Sequence, residues 1–254
     1  RDHQVYIWGK TTVQYSGPTL VQSLSQLAQS GDPVVRVGAG YAYSGALTAS
    51  GRLFLWGKNQ RGKMGFGPSV GNTVDEPRHL AGYHVRDFCL GYETTVFCTV
   101  QGQVYAMGSN DYYQLGNSNS NGGRNKVARD VPLRITTGLP SSDVDPVVQV
   151  STSTGSAHNC HSGAVTASGA LYMWGSGYKF KLGTGTLDDQ PTPVRVTFFD
   201  NMGLTVKQLV CGGIHNQVIT SNDQVYSWGC GSDGRLGHPE SDGHRYLYKE
   251  EEPR

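Results

Sequence analysis

Charge is scarce in this chain: 16% of its 254 residues are charged, and the formal net charge is +1. So even a balance sets up no field that would gather nucleic acid or an anionic membrane. Long apolar runs are missing too. None approaches the ~18 residues of a membrane-spanning helix, and the first residues lack the charged-then-apolar order of a signal peptide. Cysteine is limited to 5 residues, an odd number without a Cys-x-x-Cys pair. That usage fits a reducing compartment, so a cytoplasmic or nuclear protein is expected. Catalytic signals are lacking as well: no nucleophile has a placed base, no glycine-rich phosphate loop opens a helix, and paired carboxylates do not recur at a usable spacing. The expectation is a protein with no chemistry of its own, and no cofactor or metal.

What the chain does have is repetition. Thr48 to Gly65 reads TASGRLFLWGKNQRGKMG, and the pattern returns from Thr99, Thr166 and Thr220. In each copy a Trp or Met stands eight residues after the Thr, and a Gly nine residues further on. A partial copy, QVYIWG, starts at Gln4, and Gly17 stands nine residues after its Trp8. Eight residues before the Thr stands Gly40, Gly91 or Gly212, with His158 in the third copy. A Pro-x-x-aliphatic step closes the copies, as in Pro18 with Val21, Pro77 with Leu80, Pro132 with Ile135 and Pro193 with Val196. Strict spacing over unrelated fillers indicates one structural unit used repeatedly.

The unit itself is β in character. Leu53-Phe54-Leu55-Trp56 is a short apolar run bounded by turn residues, the pattern of a strand covered on both faces. Ala49-Ser50-Gly51 forms a hairpin turn before it. Gly57 ends the strand where a side chain would crowd the backbone, and Asn59, like Asn110, Gly177 and Gly231, suits a positive φ. Met64-Gly65 and its counterparts Leu115-Gly116, Leu182-Gly183 and Leu236-Gly237 plug the turn back onto the sheet. The small-residue strand Gly45 to Thr48 is expected to be innermost, where converging sheets leave little room.

The pattern resembles the regulator of chromosome condensation repeat, whose signatures read roughly Gly-x-x-His-Ser-x-Ala-Leu-Thr and Leu-Tyr-x-Trp-Gly-x-Asn-x-x-x-x-Leu-Gly. Gly212-x-x-His215 and His161-Ser162-Gly163-Ala164-Val165-Thr166 match the first, and all four full copies match the second. The resemblance implies an all-β fold, a β-propeller of four-stranded antiparallel blades, seven-bladed in the family. Here there are about four full repeats plus a partial one. We expect a single repeat domain over residues 1–254, with units near 1–30 (partial), 34–80, 86–135, 147–196 and 206–254. Spacings of 48, 51, 67 and 54 between successive Trp or Met positions would carry seven blades well past roughly 300 residues. A segment of a longer protein, or an incomplete ring, is therefore expected.

Elsewhere the chain is less regular. Leu20, Leu24, Leu27 and Ala28 share one helical face, predicting a short helix on the rim. The polar insertion Asn117 to Asp130 reads as a solvated loop, and its Arg124, Lys126 and Arg129 as solvated rather than phosphate-binding. His158-Asn159-Cys160-His161 lacks the second ligand pair of structural zinc and reads as structural. His161 and His215 occupy equivalent turns; hydrogen bonding within the turn and contact with a partner both remain open. The resemblance puts these turns on a face that engages the small GTPase Ran in the family's chromatin regulator. Glu93 holds an acidic turn position where Thr94 replaces the His, and Tyr43 replaces the His in another copy. The tips Asp111-Tyr112-Tyr113 and Tyr178-Lys179-Phe180 vary freely, as a binding surface would. Candidate partner-binding residues are therefore Tyr43, Glu93, His161, His215, Asp111, Tyr112, Tyr113 and Phe180. The expected function is a platform for protein partners, with no direct nucleic-acid or membrane contact. The alternative is a guanine-nucleotide exchange factor for a Ran-like small GTPase.

Overall fold

The computed structural model describes residues 3–10, 14–117, 128–155, 158–238 and 248–254. A two-stranded hairpin, β1 (Tyr6–Lys10) and β2 (Gln14–Leu20), leads through helix α1 (Gln22–Gln29) into four complete sheets. Sheet I holds β3 (Val34–Gly40), β4 (Tyr43–Thr48), β5 (Leu53–Lys58) and β6 (Thr73–His79). Sheet II holds β7 (Val85–Leu90), β8 (Thr94–Thr99), β9 (Val104–Gly108) and β10 (Arg129–Arg134). Sheet III holds β11 (Val147–Thr152), β12 (His161–Thr166), β13 (Leu171–Gly175) and β14 (Gln190–Arg195). A short α2 (Phe198–Asn201) precedes sheet IV, formed by β15 (Val206–Cys211), β16 (His215–Thr220), β17 (Val225–Cys230) and β18 (Lys249–Glu250). Every pairing is antiparallel between consecutive strands. Local turns can close such a meander without a crossover.

The apolar core lies between sheets rather than within them. Met64 and Leu55 of sheet I meet Phe88, Leu90 and Met107 of sheet II. Leu115 and Val96 of sheet II meet Val150 and Trp174 of sheet III, and Leu182 and Val165 of sheet III meet Leu209 and Trp228 of sheet IV. A sheet in this stack is therefore stable only through its neighbours. Pro18, Pro77, Pro132 and Pro193 all sit in outermost strands or in β2, where the missing N–H costs no ladder bond.

Polar bonds repeat at the same junctions. Trp174 Nε1 donates to the Gln114 carbonyl at 2.9 Å, and Trp228 Nε1 to the Lys181 carbonyl at 2.9 Å. Beside each indole, a side chain from the second strand reaches the same carbonyl: Ser162 Oγ to Gln114 at 3.0 Å and Asn216 Nδ2 to Lys181. At the first junction Thr95 Oγ1 donates to the Lys63 carbonyl at 2.7 Å. Burying a carbonyl in an apolar seam is costly unless it is met in this way.

Four expectations need correction. The first strands, β3, β7, β11 and β15, run closest together from sheet to sheet, so Gly45 to Thr48 lies in the second strand from the axis. Its smallness answers to the neighbouring sheet: a Cβ at Gly45 would stand 3.0 Å from Phe88 and 3.1 Å from Leu90. Asn59 has φ −105° and serves through its side chain, whose Oδ1 accepts from Met64 N at 3.0 Å, as Asn110 Oδ1 does from Leu115 N at 3.1 Å. The positive φ belongs to Arg61, Lys179 and Asp233, two residues after Asn59, Gly177 and Gly231. Gly17 lies within β2, so the partial copy has no plug turn at that position, and Trp8 is exposed. In the helix, Leu24 is buried, while Leu20 is the last residue of β2. Gly57, by contrast, behaves as read: at φ 112° its Cβ would meet the Ala42 carbonyl at 2.7 Å.

Trp174→Ala is expected to cost about 3–5 kcal/mol in urea denaturation, because a fully buried indole and its hydrogen bond are lost together. Trp8→Ala should stay within about 0.5 kcal/mol, the range of surface changes.

Candidate functional site

Because each sheet is a meander, its first-to-second turn and its third-to-fourth connection open at the same end. All the variable tips therefore share one face. Tyr41, in the first turn of sheet I, stacks on Tyr92 in the matching turn of sheet II, with centroids 4.0 Å apart and planes inclined by 14°. Lys63 lies beneath this pair. Its Nζ donates to the Tyr41 carbonyl at 2.8 Å and the Tyr92 carbonyl at 3.1 Å, and sits 4.3 Å from the Tyr43 ring centroid. Burial pulls this ammonium down to about 8, with Glu93 opposing. Lys181 holds the same repeat position in sheet III; its Nζ donates to the Tyr178 carbonyl at 3.2 Å, and burial lowers it to about 7 against the pull of Asp189. Further along, Arg61 pairs with Asp111 at 3.6 Å, and the Tyr112 hydroxyl lies 3.1 Å from His158 Nδ1. The Lys63, Arg61–Asp111 and Tyr112–His158 contacts tie the tips of adjacent sheets together, whereas the Lys181 bond stays within its own tip.

The residues singled out in sequence divide into two groups. Tyr43, His161, Tyr113 and Phe180 are buried, so their side chains are spent inside the stack and offer no surface to a partner. The Tyr43 hydroxyl donates to the Thr94 carbonyl at 3.0 Å and lies 2.9 Å from Thr95 Oγ1; burial raises its pKa. His161 Nε2 lies 2.7 Å from Asn216 Oδ1. Because Asn216 Nδ2 donates to Lys181, the imidazole supplies the proton to Oδ1. That bond crosses to the next sheet rather than closing on its own turn. Burial, with Lys181 nearby, lowers the imidazole to about 3, so it is neutral. Tyr113 and Phe180 stand where sheets I and IV have Gly62 and Gly234, at φ 61° and 59°, and this left-handed backbone turns their rings inward. Glu93, Asp111 and Tyr112 are half-exposed on the tyrosine face. His215 is half-buried in sheet IV, its Nδ1 without a partner among the described residues. Of the four-residue run that suggested a metal, His158 turns outward to Tyr112, while His161 and Cys160 turn inward. Residues 118–127, with Arg124 and Lys126, lie outside the described set.

Two features escaped the reading of the sequence. Tyr41 and Tyr92 each stand just after the aligned Gly40 and Gly91, a position where two aromatics one repeat apart are a usable signal. Asp32 and Asp145 open identical Asp-Pro-Val-Val runs, and each latches an identical Thr-Ala-Ser-Gly turn. Asp32 accepts from Ser50 N at 2.8 Å and Ser50 Oγ at 2.7 Å, and Asp145 from Ser168 N at 2.9 Å and Ser168 Oγ at 2.7 Å. Partial burial opposes ionisation of Asp32, but these bonds and Arg52 outweigh it and hold the carboxyl at about 2.

The pH dependence follows from both groups. His161 titrates at about 3 when folded and near 6.5 when unfolded, so its contribution to stability is complete above 6.5 and is lost as pH falls toward 3. Asp32 adds a second loss, from its ordinary 3.8 down to about 2. In urea denaturation series, His161→Gln should flatten the decline between about pH 6.5 and 4, while Asp32→Asn should leave that window unchanged and lose its latch at every pH. An unaltered slope in the His161 variant would refute the assignment.

The Regulator of chromosome condensation (RCC1) repeat model matches residues 50–98, 101–160, 168–219 and 222–254, and a second model of that repeat matches 85–114. Human E3 ubiquitin-protein ligase HERC2 is 31% identical over 245 residues, covering 92% of this chain and 5% of that protein. Human probable E3 ubiquitin-protein ligase HERC3 is 28% identical, covering 87% of this chain and 19% of that protein. The chain thus spans only a small part of these curated relatives. Among solved structures, Prp20p from Saccharomyces cerevisiae aligns with TM-score 0.76 at 20% identity, covering 99% of this chain and 58% of that one. Human WBSCR16 aligns at 0.68 and 22% identity, covering 87% and 52%. These likenesses establish the β-propeller fold, and the repeat matches over well more than half of its length place the chain in the regulator of chromosome condensation repeat family.

Proposed function

We propose that the chain is a protein-interaction platform whose working surface is the tyrosine face. The Tyr41–Tyr92 stack carries this reading: two aromatic rings from different sheets are set side by side at the surface over a buried, hydrogen-bonded ammonium. Aromatic anchors held rigid before binding lose little entropy on association and dominate interface energetics. Glu93, Asp111, Tyr112 and the Arg61–Asp111 pair supply a polar rim around the anchors. The frame below is the same in every repeat, whereas the tips differ, as fits a scaffold adapted to one partner.

Nucleotide exchange on a Ran-like small GTPase is the second reading. It rests on the likeness to Prp20p, which is described with its binding properties to Gsp1p and histones. Exchange would work by binding the empty GTPase better than the loaded one. In this chain the acidic turn residue and the turn histidine fall in different copies: Glu93 precedes Thr94, whereas His161 and His215 follow Cys160 and Ile214. The ligase activity named for the HERC relatives belongs to proteins of which the chain covers a small part, so it lends no catalytic residue here.

Purified protein should leave release of fluorescent GDP from Ran at its intrinsic rate; catalytic release at sub-stoichiometric amounts would establish the exchange reading instead. Combined Tyr41→Ala, Tyr92→Ala and Tyr112→Ala should abolish most specific capture from lysate while the melting temperature shifts by only a few degrees. Capture at wild-type levels by that variant would remove the proposed surface.

A further inference from the structure

Arginine stands at one repeat position in two sheets. Arg134 of β10 lies opposite Tyr105, and Arg195 of β14 lies opposite Tyr172, in the same antiparallel register. After Arg195 the chain turns almost at once into α2, which sends Phe199 into the core at 2% exposed and lays Asp200 on the arginine. Arg195 Nε donates to Asp200 Oδ2 at 2.8 Å and Nη2 to Oδ1 at 3.0 Å. This is the paired geometry in which a guanidinium fork fits a carboxylate.

The connection after Arg134 runs differently. Residues 136–146 form no helix. Leu139 joins the cluster of Val104 and Val147, as Phe199 joins that of Leu171 and Val206, but Leu139 is smaller and only half-buried. A groove of about 410 Å³ remains between this connection and the end of sheet II, lined among others by Gln103, Val104, Arg134, Ile135, Leu139 and Asp143. Among the described residues the Arg134 guanidinium makes no hydrogen bond or ion pair, and neither does the Asp143 carboxylate. One position thus holds a clamped arginine in sheet III and a free one beside an open groove in sheet II.

We propose that this groove is a docking site for a segment of a separate protein in which aspartate follows an aromatic residue. The carboxylate takes the Arg134 fork as Asp200 takes that of Arg195, and the ring covers Val104, Ile135 and Leu139. The occupant is identified by what sheet III places at the equivalent position, and by charge: one guanidinium without a counter-ion matches one anion. Asp143 lines the same groove and repels a phosphate or a run of acidic residues more than it repels one carboxylate. An exposed ion pair alone contributes little, so ring and carboxylate are both needed for binding. A second copy of the chain cannot supply the segment, since Phe199 is buried in its own seam and Asp200 already holds Arg195. This inference rests on the protein-binding reading and adds a second contact region, at the other end of the sheets from the tyrosine face.

The test is a nuclear magnetic resonance titration of the arginine Nε–H signals with the acetylated and amidated peptide Val-Thr-Phe-Phe-Asp-Asn-Met-Gly, copied from residues 196–203. The Arg134 signal, identified by its absence from Arg134→Gln, should move saturably with a Kd of about 1 mM or tighter. Peptides with Asn in place of Asp, or Ala in place of both Phe, should bind about tenfold more weakly or worse. Read from the peptide's own ring protons, Arg134→Gln should show the same loss; its exposed position leaves folding intact. Asp143→Asn should bind more tightly than wild type. No movement of the Arg134 signal at several times that concentration, or equal binding by Arg134→Gln, overturns the proposal. So does inorganic phosphate that moves the signal at the same concentration, because the site would then accept any anion. The Tyr41→Ala, Tyr92→Ala protein should still bind the peptide; failure of the tyrosine face and failure of the groove are thereby told apart.

Discussion

One backbone carbonyl per repeat holds this structure together. The carbonyl of Lys63, Gln114 or Lys181 sits between two sheets and takes a side-chain donor from the next one. In two of the three junctions it also takes an indole N–H. The turn that carries it must bend sharply enough to point the carbonyl across the seam, which demands the left-handed residues around Gly62 and the Asn59 side chain bracing Met64. Apolar contact alone would let adjacent sheets slide, since dispersion is non-directional. A buried acceptor with a fixed donor does not permit this, because a slip leaves it unmet at a cost of about 1–3 kcal/mol. The register of one blade on the next is set by that bond.

The fixed carbonyl also separates frame from face. Only the main chain of that residue takes part in the bond across the seam, and Lys, Gln, Lys and Arg fill the four positions. Where Lys occurs, its ammonium holds turn carbonyls, Tyr41 and Tyr92 together for Lys63 and Tyr178 of its own tip for Lys181, and desolvation lowers both. Ammonium burial of this kind is poor economy for stability alone. It does fix the Tyr41 and Tyr92 turns against each other, and this is the property a pre-organised surface needs.

The repeat, its phase and the strand-turn-plug order were legible from the sequence because they recur four times, and recurrence cancels the ambiguity of any single short apolar run. Gly57 and the plug at Leu182 stand as read. What failed was anything that depends on neighbours in space. Tyr113 and Phe180 looked like exposed tips, but a left-handed backbone at a Gly position turns both rings inward. His161 was open between two roles because Asn216, its partner, lies 55 residues away on another sheet. The small strand from Gly45 looked axial, yet its smallness answers to Phe88 and Leu90. The Asp-Pro-Val-Val latch was readable in principle, since both copies print the same letters; it was missed because it lies outside the phase of the Trp motif.

The hairpin junction departs from the rule in a way the energetics explain. Val5, Val21, Leu24 and Trp56 bury one another where α1 and β1 cover the outer half of sheet I, so the indole keeps its apolar packing without a plug. It loses the polar half of the bond, and a donor open to water costs little because water satisfies it.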